Sequence, residues 1–294
     1  MTEREARAVL ARHGRFETHL TVGEGYMNQV WMGARTVVRL SSGLLHDAMR
    51  HEFGVLAALP PSVPHPRPVG HGPRTTTGEY LVMDRVPGDR LDHAWPDLTE
   101  RQRRRVGHEV GRALAEMHRL PPRRWMVNPF LTAAFTGKWA GAIYAPPHLL
   151  PQLLESARTV RPEPAALWDA VAAWGARRQE LFADDTVRFT HCDLHARNIM
   201  VRGGELAALL DFEGSRLSAP EDEVFPMRRE LVGSELEPFL GYVAEGYPEL
   251  FGHPQHDERI RVRELMWLLF RVHHWAPGED EDPVVRLTEI VGGP

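Results

Sequence analysis

The sequence predicts an α+β fold of two lobes: a small N-terminal β-sheet lobe with one packed helix, and a larger, mostly helical C-terminal lobe. Three observations lead there. Short β-prone runs separated by glycine-containing turns crowd the first 84 residues. The stretch Asp84–Gly88 (DRVPG) then interrupts regular structure with proline and glycine. Beyond residue 90 helical periodicity takes over, broken by two short strand-like runs. The expected divisions are residues 1–84 for the N-terminal lobe, 85–88 for a hinge and 89–294 for the C-terminal lobe.

The elements follow in order. Residues 2–13 form a short helix with Ala6, Val9 and Leu10 on one side and Gly14 as its stop. Strands are expected at Phe16–Val22, Gln29–Met32 and Thr36–Leu40. Leu45, Met49, Phe53 and Leu56 recur at helical spacing over about 45–59, and the proline-rich stretch Pro60–Pro68 ends that helix. Glu79–Met83 reads as a further strand. A long helix covers 97–120, with Leu114, Met117 and Leu120 on its apolar side, and the Trp- and Ala-rich region 125–182 is helical between its prolines. Val187–Thr190 and Leu206–Leu210 are strands, and helices return around 257–272.

Composition excludes several classes. Hydrophobic residues are 43% and charged residues 26% of the 294, values of a soluble globular protein. A net charge of −5 argues against a nucleic-acid partner, which needs clustered excess Lys and Arg. No apolar run is long enough to span a membrane, and the charged N-terminal stretch lacks the apolar centre of a signal peptide. The one cysteine, Cys192, permits no internal disulfide. A cytoplasmic protein, monomer or homodimer, is expected.

The chemistry is concentrated between the two late strands. His191-Cys192-Asp193-Leu194-His195-Ala196-Arg197-Asn198 follows one of them, and Asp211-Phe212-Glu213 follows the other. The spacing H-x-D-x-x-x-x-N with D-F-x thirteen residues on is that of a phosphoryl-transfer loop. Such transfer runs through a loose transition state, so the protein chiefly positions groups and neutralises charge. An aspartate beside the acceptor hydroxyl orients it and receives its proton, the role expected of Asp193. Mg²⁺ prefers hard oxygen ligands, and Asn198 and Asp211 supply an amide oxygen and a carboxylate while phosphates and waters complete the octahedron. Arg197 either contacts the γ-phosphate or neutralises the loop. Glu213 either lines the acceptor pocket or faces solvent, His191 holds the loop by hydrogen bonds, and His195 is a scaffold or a substrate-side contact.

HCDLHARNIM followed by LLDFEG resembles the aminoglycoside phosphotransferase family, relatives of the protein kinases with the same two-lobed fold. The second histidine, His195, is the detail similar to that family rather than to protein kinases. The resemblance runs along nearly the whole chain. Gly23-Glu24-Gly25-Tyr26-Met27-Asn28 resembles the loop that covers the nucleotide phosphates, so Gly23, Gly25 and Asn28 are implied in nucleotide binding. Val37-Val38-Arg39-Leu40 is similar to the strand carrying the phosphate-contacting cation, with Arg39 where kinases mostly have lysine, and Glu52 stands at its ion-pair partner's place. Leu81–Gly88 resembles the hinge, whose backbone near Asp84 and Val86 would hold the purine of ATP or GTP. Cys192 stands where that family mostly has glycine, so its side chain would narrow the substrate site.

What the resemblance implies is Mg²⁺-dependent transfer of the γ-phosphoryl group to a hydroxyl of a small molecule. Its members act on aminoglycosides, macrolides, peptide and nucleoside antibiotics, and also on homoserine, choline or sugars. An Arg- and Ala-rich composition with few lysines favours an antibiotic acceptor, through resistance or self-protection. Two other readings compete. His191, Asp193 and His195 alternate as ligands of a hydrolytic metal would, but this leaves Asn198, Asp211 and the N-terminal lobe without a role. Arg39 could instead mark a nucleotide-binding pseudokinase, although such a scaffold has no need of a base and two metal ligands. The acidic runs at 221–223 and 279–282 read as solvated surface, His273-His274-Trp275 as packing or rim, and most of Trp125, Trp139, Trp168 and Trp174 as core.

Overall fold

The computed structural model describes residues 2–23, 28–41, 47–73, 78–128, 150–162, 164–182, 187–272 and 282–292. The first half holds α1 (Glu3–Arg12), β1 (Thr21–Gly23), β2 (Asn28–Met32), β3 (Thr36–Ser41), α2 (Ala48–Ala58), β4 (Pro68–Pro73), β5 (Glu79–Asp84), β6 (Asp89–Arg90), α3 (Leu91–Ala94) and α4 (Glu100–His118). The second half holds α5 (Leu150–Val160), α6 (Ala165–Ala176), β7 (Arg188–Thr190), β8 (Ile199–Arg202), β9 (Glu205–Leu209) and β10 (Arg216–Ser218). It closes with α7 (Glu221–Leu231), α8 (Pro238–Gly246), α9 (His256–Val272) and α10 (Pro283–Gly292).

The N-terminal strands make one antiparallel sheet in the order β1-β2-β3-β5-β4. Strand side chains alternate between faces, and here both faces are covered. Val38 and Leu40 of β3, with Tyr80 and Val82 of β5, pack on Ala6, Val9 and Leu10 of α1. Leu81 and Met83 pack instead with Met49, Val55 and Leu56 of α2, in a core that continues into α4, β8, β9 and α8. Each such fully buried aliphatic side chain contributes roughly 1.5–3 kcal/mol. Alternation therefore puts Arg39, between Val38 and Leu40, on the face that α2 covers.

Several expectations need correction. The segment before β1 is not a strand as far back as Phe16. Glu17 instead accepts hydrogen bonds from Ala34 N (2.9 Å), Arg35 N (3.0 Å) and Thr36 Oγ1 (2.7 Å), and so clamps the β2–β3 turn. The proline-rich stretch ends α2 but runs into a strand, β4, with proline at both its ends. It is an edge strand with an irregular register between Pro68 and Gly70, the setting in which missing N–H donors are tolerated. The long helix starts at Glu100, where Thr99 and Gln102 form a capping box, and α3 precedes it. On α4, Gly111 lets α8 approach, because a Cβ there would lie 2.4 Å from the Val243 carbonyl oxygen.

The second core joins α5, α6, α9 and α10, and Trp168 and Trp174 are buried in it. Trp125 meets Phe189 edge-on, with ring centroids 4.9 Å apart. The expectations for Gly25, Trp139, residues 273–275 and residues 279–281 lie outside the described residues. The larger error concerns 221–223. Glu221, Asp222 and Glu223 are buried, not solvated. Glu221 takes a bidentate pair of bonds from Arg259 at 2.6 and 2.9 Å, and Asp222 faces Arg216 and Arg263, each at 2.7 Å.

Candidate active site

The strand–loop–strand β7 to β9 presents the motif residues. β8 and β9 pair as a hairpin, so Asn198, just before β8, meets Leu210, just after β9: Leu210 N donates to Asn198 O at 2.8 Å. That backbone bond brings the residue after Leu210, Asp211, to the catalytic loop. His191 tightens the same link. Its Nε2 donates to Leu210 O (2.7 Å), and its Nδ1 faces Asp193 N at 3.4 Å. A carbonyl can only accept, so Nε2 carries the hydrogen and the ring is neutral. Burial pushes its pKa down in agreement.

Two carboxylates of α7 hold the loop's backbone, and the sequence reading missed both. Glu223 accepts from His191 N (2.7 Å) and Glu230 from Ala196 N (2.9 Å). Seven residues are two helical turns, so both side chains fall on one face of α7. That spacing was the available signal. Glu230 also lies 3.6 Å from His195 Nδ1 and 3.6 Å from Arg197 Nε. Burial, with Arg197 next in weight, pushes the His195 imidazole down to about 4, so it is neutral near pH 7.

Asn198 Nδ2 donates to Asp193 O (2.9 Å) and lies 3.2 Å from His195 Nε2. With the nitrogen so engaged, the amide oxygen is the atom left for a cation. Asp211 adopts a left-handed backbone, φ 65. Its Oδ1 lies 2.9 Å from Arg39 Nη2 yet accepts no hydrogen bond of good geometry, although it is buried. Burial, then the neighbouring Asp211 carboxylate, raises Asp193 to about 8, against the opposing pull of Arg229 and Arg197.

Across the cleft, Arg39 Nη1 donates to Glu52 Oε2 (2.5 Å), and Phe212 N donates to Glu52 Oε1 (3.2 Å). Glu52 thus joins α2, β3 and the segment after Asp211. Glu213 does not face solvent. It accepts from Arg39 Nη2 at 2.9 Å and from Asn28 Nδ2 at 2.8 Å, so it joins the Arg39 cluster. Three carboxyl groups therefore crowd one guanidinium, with oxygens of Glu52, Asp211 and Glu213 within 4.8 Å of one another. Burial alone would lower the Arg39 pKa, but Asp211, Glu52 and Glu213 outweigh it and keep the group charged. The surplus negative charge suits a divalent cation, and Glu52, Asp211 and Glu213 each bring a carboxylate oxygen to the same place. Lys138, the one lysine of the sequence, lies outside the described residues, so arginine at position 39 matches the cation usage of the chain.

Arg197 is more than half exposed, with its guanidinium toward Glu230. Gly23 ends β1, opposite Val30 of β2. Asp84 closes β5, its N–H bonded to Arg67 O (2.9 Å), and Val86 is half-buried in the connection that follows. Gly88 is obligatory there: its φ is 124, and a Cβ would stand 2.3 Å from the Val201 carbonyl oxygen.

Cys192 also sits at positive φ, 68, which explains why glycine suits the place. Its side chain does not narrow the cleft. The thiol is buried, with Sγ 2.8 Å from Thr190 Oγ1 behind the loop. Cys192→Gly should therefore leave stability within about 1 kcal/mol, since relief of strain offsets lost packing. Cys192→Val, β-branched at the same φ, should lose about 1–3 kcal/mol in denaturant unfolding. Equal stability of the two variants would refute this account of the loop.

Residues 19–259 match the phosphotransferase enzyme family, APH. The chain belongs to this phosphotransferase family. Its enzyme class follows: a small-molecule kinase with an alcohol group as acceptor. Among solved structures, the APH family member is similar to the gentamicin complex of APH(2'')-IIa, with TM-score 0.71 and 14% identity, over 100% of this chain and 97% of that one. It is similar to ADP-bound APH(2'')-Ib at TM-score 0.68 and 14% identity, over 99% and 97% of the two chains. A thermostable mutant of APH(4)-Ia in ternary complex with ADP and hygromycin B matches at TM-score 0.64 and 18% identity, over 99% and 98%. At these identities the likeness establishes the kinase-like fold of the family.

Proposed function

We propose that this phosphotransferase moves the γ-phosphoryl group of ATP or GTP, with Mg²⁺, onto a hydroxyl of a small-molecule antibiotic. The observation that carries the reading is the convergence, by one hairpin and one ion-pair cluster, of Asp193, Asn198 and Asp211 on the Arg39–Glu52 pair. Asp193 orients the acceptor hydroxyl and takes its proton as the new O–P bond forms. The bond to the β-phosphate oxygen breaks, and the nucleoside diphosphate leaves. Mg²⁺, held by Asn198 and Asp211, would neutralise charge on the phosphate oxygens. Arg39 holds the phosphates and is itself held by Glu52, Gly23, Gly25 and Asn28 are assigned to nucleotide binding, and Arg197 supplies charge at the loop. The backbone near Asp84 and Val86 receives the purine, residues 1–84 forming the nucleotide lobe, 85–88 the hinge and 89–294 the acceptor lobe. ADP, ATP and GDP in solved relatives support a nucleotide donor. Streptomycin, gentamicin and hygromycin B in solved relatives support an antibiotic acceptor. Among the described residues no helix is long and apolar enough to cross a membrane. A cytoplasmic monomer or homodimer without nucleic-acid or membrane partner fits this use.

Incubation with Mg²⁺, ATP or GTP and a panel of antibiotics, homoserine, choline and sugars, followed by mass spectrometry, tests the proposal. A product heavier by one phosphoryl group supports it and names the acceptor. Phosphorylation of a primary metabolite alone would replace the antibiotic assignment, and nucleotide binding without any product would favour the pseudokinase reading. The raised pKa of Asp193 gives a pH signature. The base acts ionised, so kcat/KM should climb with pH toward about 8 and then level. A profile flat from pH 6 upward would count against Asp193 as the titrating base.

A further inference from the structure

A cavity of about 620 Å³ opens beside the β5–β6 connection, and Arg15, Arg35, Arg67, Arg85 and Asp84 supply its polar lining. Strand alternation decides which side it faces. Leu81 and Met83 point to α2 and the cleft, whereas Tyr80 and Val82 point to α1. Asp84 is in phase with Tyr80 and Val82, so its carboxylate lies on the α1 face. There Arg15, just past α1, reaches it at 3.3 Å, and Arg67 at 2.6 Å. Arg39 and the catalytic cluster are on the opposite face, so the cavity and the cleft are separate.

The charge is one-sided. Four arginines line the cavity beside one carboxylate, and two of their guanidinium groups reach it. Glu17, the nearest other acid named above, is already engaged by two backbone N–H groups and a hydroxyl of the β2–β3 turn. Arg85 Nη1 is anchored on Gly33 O at 2.9 Å, which fixes that guanidinium at the cavity wall. Arg15 and Arg67 each address a different oxygen of Asp84, an arrangement that a phosphoryl group with its several acceptor oxygens can replace. Planar guanidinium forks match such oxyanions in bidentate fashion. The volume is that of an ordinary ligand pocket and exceeds what a single phosphate fills.

We propose that this outer cavity binds a small polyphosphate anion, two or more linked phosphoryl groups, independently of the catalytic site. The ligand would displace the Asp84 carboxylate from Arg15 and Arg67 at the point where β5 passes into the connection. A free polyphosphate and the phosphate tail of a nucleotide share this chemistry. Calorimetry on the full chain at low salt, without Mg²⁺, with tripolyphosphate as probe, tests it. Wild type should bind, and Arg35→Gln/Arg67→Gln should weaken binding by about tenfold or more. Both residues are exposed, so the double variant should keep its fold, and the single Arg35→Gln variant should show a smaller loss. Added salt should weaken binding further. No binding by wild type, or equal binding by the double variant, overturns the proposal, the second result placing the anion in the cleft. Orthophosphate as tight as tripolyphosphate also overturns it. A loss of ADP affinity in the double variant identifies a nucleotide tail, and a loss for pyrophosphate alone identifies the free chain.

Discussion

Asp193→Asn should reduce the rate of phosphoryl transfer by about 10³-fold while nucleotide affinity stays close to that of wild type. The substitution keeps the shape of the side chain and removes its capacity to receive a proton. The groups assigned to phosphates and metal, Arg39, Asn198 and Asp211, are untouched, so calorimetric nucleotide binding serves as the control. The carboxyl also sits near Asp211, whose charge helps to raise its pKa. Removing it relieves that repulsion, and thermal stability should not fall. A variant with full transfer activity would end the assignment of Asp193 as base.

A comparably large effect is expected from a residue far from the chemistry. Arg259→Ala should destabilise the fold by about 3–5 kcal/mol, because it strands the Glu221 carboxylate in the interior without its bidentate partner. For a chain of this size that lowers the unfolding midpoint by about 10 °C. Arg259→Met combined with Glu221→Leu should recover much of the loss, since a buried pair is costly chiefly when half of it is removed. The pH dependence has a definite sign. Burial would raise the Glu221 pKa, but the bonds from Arg259 outweigh this and hold it below its ordinary value of 4.5. Its contribution is complete above that pH and is lost as pH falls through the lowered folded value. A melting temperature unchanged by Arg259→Ala would show that α7 and α9 do not depend on this pair.

The contrast between these two residues shows what a sequence carries. Asp193 was legible because a short loop sets its chemistry, and the spacing to Asn198 and Asp211 lies within one hairpin. Arg39 and Glu52 were legible only through the resemblance of their strand and helix to those of the family, since neither stands out by its own spacing. Glu221–Glu223 misled because charge runs are local, whereas Arg216, Arg259 and Arg263 meet them through the fold of β10 and α9. Glu223 and Glu230 escaped notice for a related reason. Their partners at the catalytic loop are backbone N–H groups, which leave no mark on residue identity. β4 was hidden by its prolines, since only the sheet order reveals it as an edge. Glu213 was not legible because its partners, Asn28 and Arg39, lie far off in sequence and meet it only through the fold.

The arginine at position 39 bears on how this protein can be modified. Acylation needs an unprotonated amine, and a guanidinium held charged by the carboxyl groups around it presents none. Amine-directed acylation, including lysine acetylation, would therefore leave this position untouched.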